Sequence, residues 1–252
     1  MSQPEGGPTT VPPEQEADQA STPQAKRRRV RSFVRREGRL TTGQARALEE
    51  LWPRYGVDMP AKGQWLDFHA LFGRTAPLTL EIGFGNGDSL ASMAAAESAR
   101  NFLGIEVHRP GVGHLLQRIE ALGLTNLRVM CGDAVEILER HVHPASIDTI
   151  QIFFPDPWPK KRHHKRRLVQ PAFVNLLGER LRPGGRLHLA TDWENYALQM
   201  LEVMEAAPGF ENEAGAGQFS PRPSSRPLTK FEQRGGRLGH GVWDLLYRRE
   251  GA

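Results

Sequence analysis

From about Pro77 onward, short continuous apolar runs alternate with longer stretches whose apolar positions recur every three or four residues. The short runs, at 78–84, 102–107, 127–130, 148–154 and 186–190, predict strands. The longer stretches, at 89–99, 113–122, 134–140, 171–181 and 194–206, predict helices between them. Strands that are apolar throughout, with no alternation of faces, are what a parallel sheet covered on both sides requires. Crossover connections then gather the ligand crevice at the carboxyl ends of the strands. A weak alternation over 242–249 predicts a late strand at the sheet edge, whereas 209–217 and 220–227 read as loops. Ahead of the first strand, Trp52, Trp65 and Phe68 read as core packing. The predicted fold is α/β, a mostly parallel twisted sheet with helices on both faces and a late antiparallel strand.

Composition divides the chain into three parts. Residues 1–25 carry four acids and no Lys or Arg among many Pro, Gln and Thr. Such a segment buries too little apolar surface to offset its ordering entropy and is expected to be disordered. Residues 26–39 follow as a basic arm, with eight Lys or Arg against Glu37 alone. The arm suits an RNA contact or a tether equally. Residues 40–252 are long enough for one domain with a real core. Without the acidic tail, 33 Lys and Arg face 25 acids, a formal charge of +8, which favours a polyanionic partner. The start lacks an apolar leader run, and no apolar stretch suggests a membrane anchor, so a cytoplasmic protein is expected. Cys131 is the single cysteine, which excludes an internal disulfide and a cysteine-based zinc site. Neither a metal nor a membrane partner is expected, and the oligomeric state is left open.

The first predicted strand runs into EIGFGNG at 81–87 and then a helix start marked by Asp88 and Ser89. Gly83, Gly85 and Gly87 permit a tight turn and a close approach to a flat ligand. Glu106 ends the next strand, where an acid accepts hydrogen bonds from ribose hydroxyls. Asp133 ends the third strand and can meet an adenine amino group. A nicotinamide dinucleotide is the first competitor. The G-x-G-x-G spacing and the position of Glu81 both argue against it, because a carboxylate within the turn repels a pyrophosphate. S-adenosylmethionine has no phosphate and carries an ammonium and a sulfonium, so a carboxylate suits it.

The densest chemistry lies in FFPDPWPKKRHHKRR at 153–167. A buried strand delivers one acid, Asp156, and one flat aromatic, Trp158, to a surface with six Lys or Arg and two His in eight residues. A bare basic run is more often a solvated face or a localisation signal, and the attached PDPW lowers that reading. Trp158 suits base stacking and bracing of the proline loop about equally. His163 and His164 lack the spaced partners of a metal site.

Five segments in register, EIGFGNG, GIEVHRPGVG (104–113), FPDPWPK (154–160), TDWE (191–194) and RPLTKFE (226–232), closely resemble the bacterial tRNA (guanine-N7-)-methyltransferase family. The resemblance runs from about Leu40 to Arg249 and leaves the first 25 residues outside the family pattern. It implies a Rossmann-like class I methyltransferase fold, S-adenosylmethionine as cofactor, and methylation of guanosine 46 in the variable loop of tRNA. It further implies cofactor contacts at Glu81, Glu106, Asp133 and Asp156, with Asp156 in the active site. Lys160, Asp192, Thr229, Lys230, Phe231 and Glu232 fall on the substrate side. Arg162, His163, His164, Lys165, Arg166 and Arg167 fall on the RNA.

Each of these segments also has a plainer reading. Asp192 fits a helix N-cap, and 229–232 fits a turn. At the level of function, two alternatives compete. One is a methyltransferase acting on exocyclic amines, whose D-P-P-aromatic motif PDPW resembles, although the basic octamer is not part of that motif. The other is a non-catalytic RNA-binding protein, against which the acids at 81, 106, 133 and 156 argue.

Overall fold

The computed structural model describes residues 38–228, Glu232 and residues 241–251. The acidic tail, the basic arm up to residue 37, and Thr229, Lys230 and Phe231 lie outside the described residues. The strands are β1 (Leu78–Ile82), β2 (Asn101–Glu106), β3 (Leu127–Cys131), β4 (Ile147–Phe153), β5 (Leu181–Thr191), β6 (Phe210–Asn212) and β7 (Trp243–Arg249). They form one sheet in the order β3-β2-β1-β4-β5-β7-β6. β1 to β5 pair in parallel, while β7 runs antiparallel to both β5 and β6. The sheet order reverses between β1 and β4, which is where open α/β sheets bind ligands.

Three short helices lead the domain: α1 (Thr42–Glu50), α2 (Trp52–Tyr55) and α3 (Phe68–Phe72). The crossovers are α4 (Asp88–Ala96), α5 (Arg109–Ala121), α6 (Ala134–His141), α7 (Pro171–Arg180) and α8 (Glu194–Glu205). One core packs α6, α7 and α8 on Leu80, Ile82, Ile150, Ile152, Leu187 and Leu189. A second packs α1, α4 and α5 on Phe102, Leu127 and Val129. Each fully buried aliphatic side chain in these cores contributes about 1.5–3 kcal/mol relative to exposure.

The second face becomes polar toward the middle of the sheet. Glu81, Gln151 and His188 stand side by side on β1, β4 and β5, and all three are buried. Strand interiors usually avoid such a row, and it runs directly beneath the carboxyl-end loops.

Several boundaries differ from the sequence expectation. α5 begins at Arg109, four residues before the expected start at 113. Pro110 sits in its first turn, where a missing N–H costs nothing. Gly111, left outside the expected helix, is a packing contact: a Cβ there would lie 2.0 Å from the Gly85 carbonyl oxygen. β5 begins at Leu181, with the Pro–Gly turn residues of 183–185 absorbed in a register shift against β4. The loop expected at 209–217 contains β6, whose three residues are too few to show alternation. Trp65 is not core: it is 44% exposed and stacks on His143 at 4.5 Å between ring centroids. Trp52 and Phe68 are half-buried against the two cores.

A candidate active site at the switch point

The carboxyl ends of β1 to β4 enclose a cavity of about 600 Å³. Its walls are the glycine turn (Gly83, Gly85), the end of β2 (Glu106 to His108), Gly132 to Ala134 after β3, and Phe154 to Pro159 after β4. Gly83 and Gly85 both have positive φ, 76° and 59°, and a side chain there would point into open space. Glu106 ties the turn to β2. Its Oε2 accepts from the Gly85 amide at 2.9 Å, and its Oε1 from the Val107 and His108 amides at 2.7 and 3.0 Å. Three amide donors hold one carboxylate in a single orientation on the cavity wall. Asp133 lines the same wall and caps α6 by accepting from the Val135 amide at 3.0 Å.

Two expected cofactor residues sit behind the wall. Gly87 is buried as the N-cap of α4, where a Cβ would collide with Leu115. Its glycine serves helix packing, which corrects its assignment as a cofactor contact. Glu81 is 3% exposed beneath the turn and accepts from the Gln151 amide at 2.8 Å. Burial pushes its carboxyl up to about 7, against the opposing hydrogen bond from Gln151 and with help from the negative charge of Glu106.

The loop after β4 is held under tension. Phe154 and Trp158 have φ of 51° and 44°, and each precedes a proline. Non-glycine residues in this region cost on the order of 1–3 kcal/mol each, and the surroundings must enforce the geometry. The Phe154 amide donates to the Ala190 carbonyl at 2.8 Å. The Arg226 guanidinium lies 5.8 Å from the Phe153 ring and 5.6 Å from the Phe154 ring. Between the two strained residues, Asp156 is exposed on the cavity wall. Trp158 lines the cavity with the Arg166 guanidinium 5.0 Å over its ring and His163 edge-on at 5.8 Å.

Lys160 caps a 3-10 turn, Lys161–Arg166, that carries the basic run outward. Lys160, Arg162 and Lys165 are exposed, whereas His163, His164 and Arg166 are half-buried. Partial burial and the cations Arg162, Arg166, Lys160 and Lys165 hold His163 below its ordinary pKa of 6.5. Arg167 departs from the expectation. It is 2% exposed, and its guanidinium donates to the Pro157 carbonyl at 2.8 Å, to Asn195 Oδ1 at 2.8 Å and to Gln199 Oε1 at 2.6 Å. A guanidinium buried and bonded in this way faces the protein interior and not the exposed cationic surface, which corrects its assignment to the RNA surface.

Asp192 is exposed in the turn between β5 and α8. The N-cap of α8 is Trp193, without a side-chain cap bond, and the Trp193 amide donates instead to Thr191 Oγ1 at 3.2 Å. The cap reading of Asp192 therefore fails. Glu232 is 7% exposed and pairs with Arg226 at 2.7 Å. Arg226 in turn bonds both oxygens of Asp244 at 2.7 and 2.8 Å, and His188 Nε2 meets Asp244 Oδ1 at 2.7 Å. Burial raises the Asp244 pKa, but the bonds from His188 and Arg226 outweigh it and leave the carboxyl below its usual range. Burial likewise holds His188 below 6.5 against the attraction of Asp244. Sequence reasoning left Arg226, Asp244 and His188 unassigned. They meet because β5 and β7 pair and Arg226 lies against the Phe153 and Phe154 rings.

A family model described as "Putative methyltransferase" matches residues 75–245. The tRNA (guanine-N(7)-)-methyltransferase of Halorhodospira halophila is 61% identical over 221 residues, covering 88% of this chain and 95% of the relative. The chain belongs to the tRNA (guanine-N(7)-)-methyltransferase family. The enzyme of that name from Alcanivorax borkumensis is 62% identical over 222 residues, 88% of this chain and 92% of the relative. The solved structure of the 16S rRNA methyltransferase KamB matches with a TM-score of 0.55 at 15% identity, over 74% of this chain and 95% of that one. That likeness shows the fold. Among the described residues no group of His, Cys, Asp and Glu is placed to hold a metal ion, and no helix is long and apolar enough to cross a membrane.

The cavity fits S-adenosylmethionine on its own chemistry. Glu106 is fixed by its three amide bonds at the wall where a ribose would lie. The open glycine turn leaves room for a flat ligand, and the acids Glu106, Asp133 and Asp156 suit a cation-bearing one.

Proposed function

We propose that this chain transfers a methyl group from S-adenosylmethionine to N7 of guanosine 46 in the variable loop of tRNA, in the cytoplasm. The observation that carries the reading is that Asp156 lines the cavity five residues ahead of a cationic turn whose Arg162 and Lys165 are exposed. One loop thus joins the methyl donor's site to a polyanion surface. S-adenosylmethionine supplies an electrophilic methyl on sulfur. N7 already bears a lone pair, so no residue has to remove a proton before attack. The guanine ring gains positive charge as it is methylated, and a fixed carboxylate beside it stabilises charge that grows in the transition state. Asp156 takes that part, held by the strained proline loop. Lys160, Asp192, Thr229, Lys230, Phe231 and Glu232 take the substrate side. Arg162, Lys165 and Arg166 bind phosphate, with His163 and His164 beside them, and Glu81 adds negative potential beneath the glycine turn.

N7 lies on the deep, narrow major-groove edge of A-form RNA, so the target guanosine must be unstacked before it reaches the cavity. Orientation of N7 against the methyl contributes much of the remaining rate. The test is to incubate the protein with unmodified tRNA and labelled cofactor, digest to nucleosides, and map the label. Label in 7-methylguanosine at position 46 is expected. Label in an exocyclic-amine product, or none, overturns the reading.

A further inference from the structure

We infer that Arg167 is a positioning residue for methyl transfer: it sets the spacing between the Asp156 loop and the Asp192 turn. The inference rests on the roles proposed above for those two acids. Arg167 ends the basic run, yet its guanidinium points inward, and each of its three nitrogens is used. Nε bonds the carbonyl of Pro157, the residue after Asp156. Nη1 bonds Gln199 Oε1 at 2.6 Å, and Nη2 bonds Asn195 Oδ1 at 2.8 Å. Both partners lie on α8, whose first residue is two positions after Asp192. The guanidinium carbon lies 4.7 Å from the centroid of the Tyr196 ring, which is itself fully buried.

One planar fork therefore links the loop after β4 to α8, the helix after β5, and the two strands are adjacent and each delivers one acid. Its carbonyl contact falls inside the segment bounded by Phe154 and Trp158, whose positive φ values must be enforced from outside. A carbonyl held by a charged donor is a strong restraint, and the fork geometry fixes direction as well as distance. Lysine carries the same charge but cannot span three acceptors. The guanidinium needs no contact with tRNA to act, because a small misplacement of a reacting group costs rate without costing binding.

The test compares Arg167→Lys, Arg167→Met and the double variant Asn195→Ala/Gln199→Ala with the wild type, using full-length protein and unmodified tRNA. Single-turnover methyl transfer is measured at saturating tRNA and cofactor, with tRNA affinity measured across a salt series. The expected result for both Arg167 variants is a rate lower by at least tenfold, a tRNA dissociation constant within twofold, and an unchanged salt slope. The double variant keeps the guanidinium and removes its anchors on α8, and it should lose rate in the same direction. A salt slope shallower by about one phosphate contact with an unchanged rate would make Arg167 an RNA ligand and overturn the inference. A lowered unfolding midpoint with a normal rate per folded molecule would reduce it to a structural residue, which also overturns it. If the Arg167 variants do not fold, the double variant decides, and a normal rate there overturns the inference. Formation of 7-methylguanosine by the wild type in the same assay separates failure of this inference from failure of the functional reading.

Discussion

Replacing Glu81 with glutamine should stabilise the cofactor-free protein, by an amount that depends on pH. Glu81 is 3% exposed, and burial lifts its carboxyl from an ordinary 4.5 to about 7. The folded protein therefore holds this proton more tightly than the unfolded chain does. Between those two pH values the unfolded chain sheds a proton that the folded state keeps, so stability falls as pH rises and levels off above about 7. At about 1.4 kcal/mol for each tenfold change in proton affinity, the loss attributable to this group approaches about 3 kcal/mol at pH 8 and is about 1 kcal/mol at pH 5. Glutamine has nearly the same shape, still accepts from the Gln151 amide, and carries no charge. Urea unfolding of both proteins without cofactor, followed by circular dichroism at pH 5 and pH 8, measures the difference directly. Glu81→Gln should exceed the wild type by about 3 kcal/mol at pH 8 and by much less at pH 5. Calorimetry should show weaker cofactor binding by the same variant, the usual relation between a costly buried charge and function. A stability difference independent of pH, or a variant less stable at pH 8, would refute the argument.

Replacing Arg162 and Lys165 together with alanine should shallow the dependence of log affinity for tRNA on log salt by about 1.5, the loss of two phosphate contacts. An unchanged slope in a filter-binding salt series would remove the turn from the interface. Gly111→Ala would place a Cβ 2.0 Å from the Gly85 carbonyl oxygen. The helix or the glycine turn must then shift, at about 1–3 kcal/mol in unfolding free energy. Calorimetry should also record cofactor affinity at least tenfold weaker, since Gly85 is part of the cavity wall.

The sheet was legible because its signal is local. The runs at 78–84, 102–107 and 127–130 fall on β1, β2 and β3 to within a residue or two, and the late antiparallel strand expected at 242–249 is β7, which pairs with β5 through 243–248. Glycine and proline misled where they pack or bulge rather than break: Pro110 and Gly111 lie inside α5, and 183–185 lie inside β5. Near the cavity, the turn at Gly83 and Gly85 was legible as a turn, because its positive φ values favour glycine. Arg167 was not. Six of eight residues in its run carry positive charge, and nothing local marks the one whose partners, Asn195 and Gln199, lie 28 and 32 residues away. Arg226, Asp244 and His188 escaped for the same reason: His188 and Asp244 are 56 positions apart. Charge patterning identifies a cationic surface, but only the fold decides which members face inward.

The most direct test of the account is single-turnover methyl transfer by Asp156→Asn, with tRNA and cofactor affinities measured on the same preparation. Asn preserves the size of the side chain and removes the charge meant to stabilise the methylated ring. At saturating cofactor, tRNA affinity should stay near that of the wild type and the rate should fall by about 100- to 1,000-fold, the effect of losing one pre-organised electrostatic partner. A folded, tRNA-binding Asn variant that forms 7-methylguanosine at close to the normal rate would contradict it.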